Sequence, residues 1–344
     1  MKKTNLILLA LLAVVGSIGA WYLVTKEDSN LEGYDFHFAI KDTADVGKIF
    51  LADREGRTVT LTRDNKVKWL VGGKYEVQPD MIKTLLETIN QVELKFRLPR
   101  NAVESVVKDI ATEGIKVEIY SKSGKALRTY YVGGSTSDDR GTFMMMENSN
   151  EPYVMHIPGF QGMLRPRFQM EEQDWRDRFV FKLQPQDIQI VSINYPNQQA
   201  KSFTLTREGG NQFKVDPFYS IVPRINRPVV TGMVEAFLRG FEKLGIEGFE
   251  VGNPKADSLK NAPVFAKITV VDTKGSSKTL TLHPFLARNE FGQVTHSDDG
   301  QVHIEHYFVD TSDGELMAVQ HFVFEKIFWA YEAFFINPSA HQKG

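Results

Sequence analysis

The chain has no cysteine. That excludes disulfides, thiolate nucleophiles, Cys-ligated zinc and a lipidated N-terminal cysteine, but leaves the compartment open. Neither sign of charge is in excess: 41 Lys and Arg face 43 Asp and Glu, for a formal net charge of −2. No basic field gathers nucleic acid or anionic lipid, and no block of like charge is long enough to act as an interaction tail. G-x-S-x-G, P-loop and G-x-G-x-x-G patterns are also missing, so no nucleophile elbow or phosphate loop is written here. The expectation is no catalytic residue, no cofactor, no metal and no nucleic-acid partner.

Long apolar runs are scarce, with one exception at the start. MKKTNLILLALLAVVGSIGAWYLVTKEDSN carries Lys2 and Lys3 and then no charge until Lys26. About 20 helical residues span a hydrocarbon core of about 30 Å, which makes residues 5–25 a candidate transmembrane helix. A cleaved signal peptide ending near Ile18-Gly19-Ala20 is the competing reading. The run continues through Trp21, Tyr22, Leu23 and Val24, with two rings suited to the membrane interface, which favours an uncleaved anchor. Positive charge precedes the span, while Glu27 and Asp28 follow it. The positive-inside rule then places the N-terminus in the cytoplasm and the bulk of the chain outside, as a single-pass membrane protein.

What the chain has in abundance is short β-rich segments, and it has them twice. A length of 344 residues predicts about two domains. TLTRDN (Thr60 to Asn65) reappears as TLTREG (Thr204 to Gly209), each with Thr on one strand face, Leu on the other and a turn after the Arg. Ile82, Leu85, Leu86, Ile89 and Val92 stripe one helix, and Val230, Val234, Phe237, Leu238 and Phe241 stripe another. Asn101 with Glu104 reads as a capping box. Hairpin glycines follow at Gly124 and Gly275, and a last hairpin over Glu147 to His156 is matched by Asp310 to Val319. The offset between copies lengthens steadily, as insertions in turns would make it. The expected fold is α+β: two tandem repeats of a β-rich antiparallel sheet with packed helices, after one N-terminal transmembrane helix. Its boundaries are 1–30 for anchor and juxtamembrane linker, 31–168 for the first repeat, 169–186 for an inter-repeat linker and 187–344 for the second repeat.

This order of elements, with Trp175-Arg176-Asp177-Arg178 and then Asp187-Ile188 and Ser192-Ile193, resembles a bacterial envelope family catalogued as domain of unknown function 4340. The resemblance covers most of Asp45 to Lys326. The chain departs from the pattern at Glu113-Gly114-Ile115 and in an insertion around Pro223 to Pro228. The resemblance carries no activity across. Family genes often lie beside gliding-type ABC exporters, which implies an accessory role with integral membrane subunits of an envelope complex as partners.

The remaining constellations have plain structural readings. His283, His296, His303, His306 and His321 crowd the second repeat, but without the spacing of a helical zinc motif. Ser137-Asp138-Asp139 and Ser297-Asp298-Asp299 lack the spacing of a calcium loop. Met144 to Met146 alternates faces on a strand. Arg63 and Arg207 stand at strand ends, where solvated arginines are the ordinary outcome and paired ligand sites the alternative. The C-terminal FVFEKIFWAYEAFFINP reads as one aromatic helix. Its Trp329, Tyr331 and Phe335 are the candidate partner-docking residues, with core packing as the competing reading. Trp175, Arg176 and Arg178 are candidates for contact between the repeats. The function expected is that of a noncatalytic membrane-anchored scaffold or accessory subunit, in an ABC-type export or gliding-associated system. The alternatives are an anchored envelope hydrolase and a module that binds a small ligand or peptide.

Overall fold

The computed structural model describes residues 36–65, 68–296, 300 and 302–336. The expected membrane segment, residues 5–25, and the second Ser-Asp-Asp stretch, residues 297–299, lie outside the described residues. Among the described residues, no helix is long and apolar enough to cross a membrane. The chain forms two compact units that meet in sequence at Asp177 and Arg178. Each is α+β with antiparallel strands.

In the first unit β1 (Val46–Ala52), β2 (Thr58–Arg63), β3 (Trp69–Val71) and β4 (Tyr75–Glu76) precede helix α1 (Pro79–Gln91). Then come β5 (Glu93–Arg97), α2 (Arg100–Glu113), β6 (Ile115–Ser121), β7 (Ala126–Ser135), β8 (Thr142–Met146), β9 (Tyr153–His156) and one helical turn, α3 (Glu172–Trp175). The sheet runs β4-β3-β2-β1-β6-β7-β8-β9-β5. Period-2 sequence makes the strands: β6 buries Ile115, Val117 and Ile119 while Lys116, Glu118 and Tyr120 take the other face. Helix α1 starts on Pro79, whose missing N–H costs nothing at that position, and buries Ile82, Leu85 and Ile89 against the sheet. The predicted cap at Asn101 is corrected: α2 begins at Arg100 behind Pro99, so Asn101 is already inside the helix. Proline's fixed φ suits the extended residue before the helix and sets the boundary one step earlier.

The second unit holds β10 (Phe179–Phe181), β11 (Ile188–Asn194), β12 (Phe203–Gly209), β13 (Gln212–Pro217), α4 (Thr231–Arg239), β14 (Leu244–Gly245) and β15 (Gly248–Phe249). It continues with α5 (Ala256–Lys260), β16 (Ala266–Asp272), β17 (Ser277–Leu286), β18 (Ile304–Thr311), β19 (Leu316–Gln320) and the short α6 (His321–Phe324). Its main sheet runs β13-β12-β11-β16-β17-β18-β19-β15. Apart from β4, that is the first unit's strand order, element for element. The β6–β7 and β16–β17 turns both place a glycine in the left-handed region, Gly124 at φ 85° and Gly275 at φ 86°, where a side chain would be strained.

The expected C-terminal aromatic helix is corrected. Residues 321–335 form one α turn and two 3₁₀ turns, Glu325–Ile327 and Tyr331–Phe335, with Ala330 extended between them. Two carbonyls there serve other segments: Trp329 O accepts from the Tyr195 hydroxyl at 3.1 Å, and Phe334 O from Val230 N–H at 2.9 Å. A continuous helix would have committed them to its own ladder. The predicted 169–186 linker also differs in the structure. Its first part, through Asp177, belongs to the first unit, and its remainder to the second.

Candidate functional site

Strands β2 and β12 hold the same place in their two sheets; Arg63 is the last residue of β2, and Arg207 lies within β12, which runs on to Gly209. Both bury their leucines, Leu61 and Leu205, and turn their threonines to the other face. The arginines are partly buried and held by backbone carbonyls, not freely solvated as the sequence led us to expect. Arg63 Nη1 donates to Ala44 O at 2.8 Å, and its guanidinium carbon lies 5.4 Å from the Trp69 ring centre. Arg207 donates from Nε to Ile188 O (3.0 Å), from Nη1 to Gly210 O (2.8 Å) and from Nη2 to Pro185 O (2.6 Å). Its carbon lies 4.6 Å from the Phe213 ring centre. Each pair is a cation–π contact between neighbouring strands.

A cleft lies between each arginine and the helix packed on its sheet. In the first unit it measures about 480 Å³ and is lined by Arg63, Trp69, Ile82, Lys83, Glu87 and Asn90, among others. In the second it measures about 350 Å³, with Arg207, Phe213, Glu235, Leu238, Arg239 and Glu242 in its wall. The chemistry on offer is recognition by a ring-stacked guanidinium and by charges on the helix.

The sequence reading overlooked an ionic network on the first sheet. Lys116 Nζ lies 2.8 Å from Glu118 and 3.0 Å from Glu147. The Tyr120 hydroxyl donates to the other Glu118 oxygen. The Lys116 hydrogen bond, then the Tyr120 bond, hold the Glu118 carboxyl below the usual range. The signal was present in IKVEIY, whose Lys116, Glu118 and Tyr120 share a face by the period of 2. Also overlooked was the second unit's Tyr307, whose hydroxyl is 2.9 Å from His321 Nδ1. Burial pushes that phenol up, so it stays protonated.

The residues proposed from sequence fall elsewhere. Tyr331 and Phe335 lie in the second unit's core, and Trp329 is partly buried against it, 5.5 Å from the rings of both Phe237 and Phe334. The competing reading, core packing, describes where Tyr331 and Phe335 lie, and Trp329 packs on the same cluster. Trp175 is fully buried in the first unit's core, its Nε1 donating to Gln169 O at 3.0 Å. It is a core residue, not a linker wedge. Arg176 is buried with its guanidinium 3.6 Å from the Tyr75 ring centre. Arg178 is exposed, and its carbonyl accepts from Ile246 N–H at 2.7 Å. His283 is buried and Met144 alternates inward as expected. Among the described residues, no three His, Asp or Glu side chains gather closely enough to hold a metal ion.

No curated protein and no solved structure matches this chain. A family model does match, over residues 71–262, beginning in β3 of the first unit and ending just beyond α5 of the second. That stretch is more than half of the chain, so the protein belongs to the family described as Domain of unknown function (DUF4340).

Proposed function

We propose that the protein is a noncatalytic scaffold or accessory subunit of a bacterial envelope assembly. Residues 5–25 anchor it once in the inner membrane, with the N-terminus cytoplasmic and both units periplasmic. Its partners are integral membrane subunits, those of an ABC-type export or gliding-associated system being the ones the family resemblance implies. In this reading the two units are tandem copies of one repeat. The observation that carries it is the common strand order of the two sheets, since repeated modules on one anchor multiply contact surface without building a second kind of site.

The sheet face opposite the core supports a contact role. In the second unit Thr204, Ser192, Thr269 and Thr279 form one row across four strands, with Ser192 Oγ 3.0 Å from Thr204 Oγ1 and Thr269 Oγ1 2.9 Å from Thr279 Oγ1. These hydroxyls make a low, uncharged surface with acceptors to spare. Copurification of the full chain from detergent-solubilised native membranes is expected to recover integral membrane subunits in fixed stoichiometry. Recovery of the chain alone under mild conditions would overturn the reading.

A further inference from the structure

We propose that the first unit carries a phosphate-binding pocket at the β1–β6 bulge, a site the second unit has lost. The pocket is a cleft of about 570 Å³ on the side of Arg63 away from the helix cleft, with Lys48, Arg63 and Lys122 in its wall. This proposal stands independently of the scaffold reading.

The floor is a backbone irregularity. Between Val46 and Lys48 the β1–β6 register shifts, leaving Gly47 as the extra residue. A Cβ on Gly47 would come within 2.7 Å of Lys122 Cα, so only glycine lets the two strands approach this closely. The cations enter from three strands or strand ends. Lys48 lies over the Tyr120 ring, 4.2 Å from its centre, and makes no ion pair among the described residues. Lys122 is exposed on the turn after β6. Arg63 lines the same wall, and its Nε is buried with no acceptor among the described residues, an N–H that is costly to leave unpaired. One carboxylate is in the wall, that of Asp64, and its Oδ1 accepts from Lys68 N–H at 2.7 Å. Three cations against one carboxylate exceed what a monoanion needs, and they fit a group with several charged oxygens. The volume is that of a small-ligand site and leaves room for the alcohol part of a phosphate ester.

The second unit provides the internal comparison. Its β11–β16 ladder shifts register at the same place, between Ile188 and Ile190. The bulge residue there is Gln189, and its side chain reaches across to donate to Arg207 O at 2.7 Å. Ile190 stands where Lys48 does. Thr273, whose N–H bonds to Asp187 O as the Lys122 N–H bonds to Asp45 O, takes the place of Lys122. Asp272 stands in the register position of Ser121. The Arg207 Nε already donates to Ile188 O. Thus the bulge is kept while the second unit has neither lysine at the matching positions and its arginine Nε is already bonded. A need of the fold alone would have kept them in both units or in neither.

The test is calorimetric titration of the full chain in neutral detergent. Glycerol phosphate represents a free ester, dihexanoylphosphatidic acid below its micellar concentration represents a lipid headgroup, and dihexanoylphosphatidylcholine is the zwitterionic control. Saturable, salt-sensitive binding of one anionic probe is expected, weakened at least about tenfold in K48Q/K122Q, in keeping with the loss of charge-assisted hydrogen bonds. Lys278→Gln in the second unit should leave it unchanged. Binding of glycerol phosphate assigns a free ester, and binding of the short-chain lipid alone assigns a headgroup. Both lysines can change without emptying the core, and an unaltered circular-dichroism melt verifies the fold. No saturable binding of either anionic probe, equal weakening by Lys278→Gln, or equal binding by K48Q/K122Q would each overturn the proposal.

Discussion

Arg63 gives one guanidinium hydrogen to a carbonyl and keeps a buried N–H without an acceptor among the described residues, whereas Arg207 divides three donors among Ile188, Gly210 and Pro185. The strands that carry them are nearly identical in sequence, and both arginines lie near a ring of the next strand. The neighbouring bulge differs as well, with Gly47 in the first unit and Gln189 in the second. Gln189 donates to the Arg207 carbonyl, and the Arg207 guanidinium ties Pro185, Ile188 and Gly210 together. In the first unit Gly47 and Arg63 line a further cleft of about 570 Å³. Two sheets of the same strand order can thus hold matching arginines in different ways.

A second contrast lies after the last strand of each sheet, where both units send a segment back into their own core. In the first unit it supplies Leu164, Phe168 and Trp175, and in the second Phe324, Ile327, Tyr331, Phe334 and Phe335. The largest expected effect tests this parallel. Trp175→Ala and Phe334→Ala each remove a fully buried ring, which costs about 3–5 kcal/mol. Chemical denaturation followed by hydrogen exchange should place the first loss in first-unit peptides and the second in second-unit peptides. A cost below about 0.5 kcal/mol, the usual surface value, would return Trp175 to a linker role or the C-terminal rings to docking.

A smaller effect separates the arginines. Arg207→Met strands three carbonyls, whereas Arg63→Met strands one, that of Ala44. Hydrogen bonds to a charged partner contribute about 1.5–3 kcal/mol each, with less than full additivity. Arg207→Met should therefore destabilise by about 3 kcal/mol and Arg63→Met by about 1 to 2 kcal/mol. Equal losses in urea melts would mean that the two arginines do the same work, and the contrast drawn from Gly47 and Gln189 would fail.

How much of this was legible in the sequence depended on the range of the interaction. The alternation in TLTR and the stripe Ile82, Leu85, Ile89 are local periodicities, so they predicted the buried faces directly. The spacing of Phe324, Ile327, Phe328 and Tyr331 suits a helix equally well. There the backbone follows long-range bonds instead, from Tyr195 and Val230 to the carbonyls of Trp329 and Phe334, and no local pattern encodes them. Trp175 lies among Glu171, Glu172, Asp174, Arg176 and Asp177, a polar setting that reads as linker until tertiary packing is known. The difference between Gly47 and Gln189 was within reach. It needed the two units aligned position by position, and the bulge registers that justify that alignment come from the ladders.

The smallest effect concerns the outer faces of the sheets. One row of the first unit runs Thr60, Phe50, Glu118 and Thr129, with Glu147 beyond, while the corresponding row of the second runs Thr204, Ser192, Thr269 and Thr279. Glu118 titrates, whereas the four hydroxyl groups do not. Hydrogen bonds from Lys116 and Tyr120 hold the Glu118 pKa below its ordinary 4.5 in the folded chain, so the unfolded chain binds the proton more readily. Its contribution is therefore complete above pH 4.5 and is lost as the pH falls through the depressed folded value. The group is near the surface, which limits the gain to about 0.2–1 kcal/mol and makes it weaker in high salt. Glu118→Gln should flatten the acid limb of first-unit stability by that amount and leave the neutral-pH difference within the same bound. Ser192→Ala in the second unit should change stability by a similar or smaller amount with no dependence on pH. If Glu118→Gln leaves the acid limb as steep as before, the network is only a crystal-like arrangement of surface charges without energetic weight, and the two sheet faces differ in composition alone.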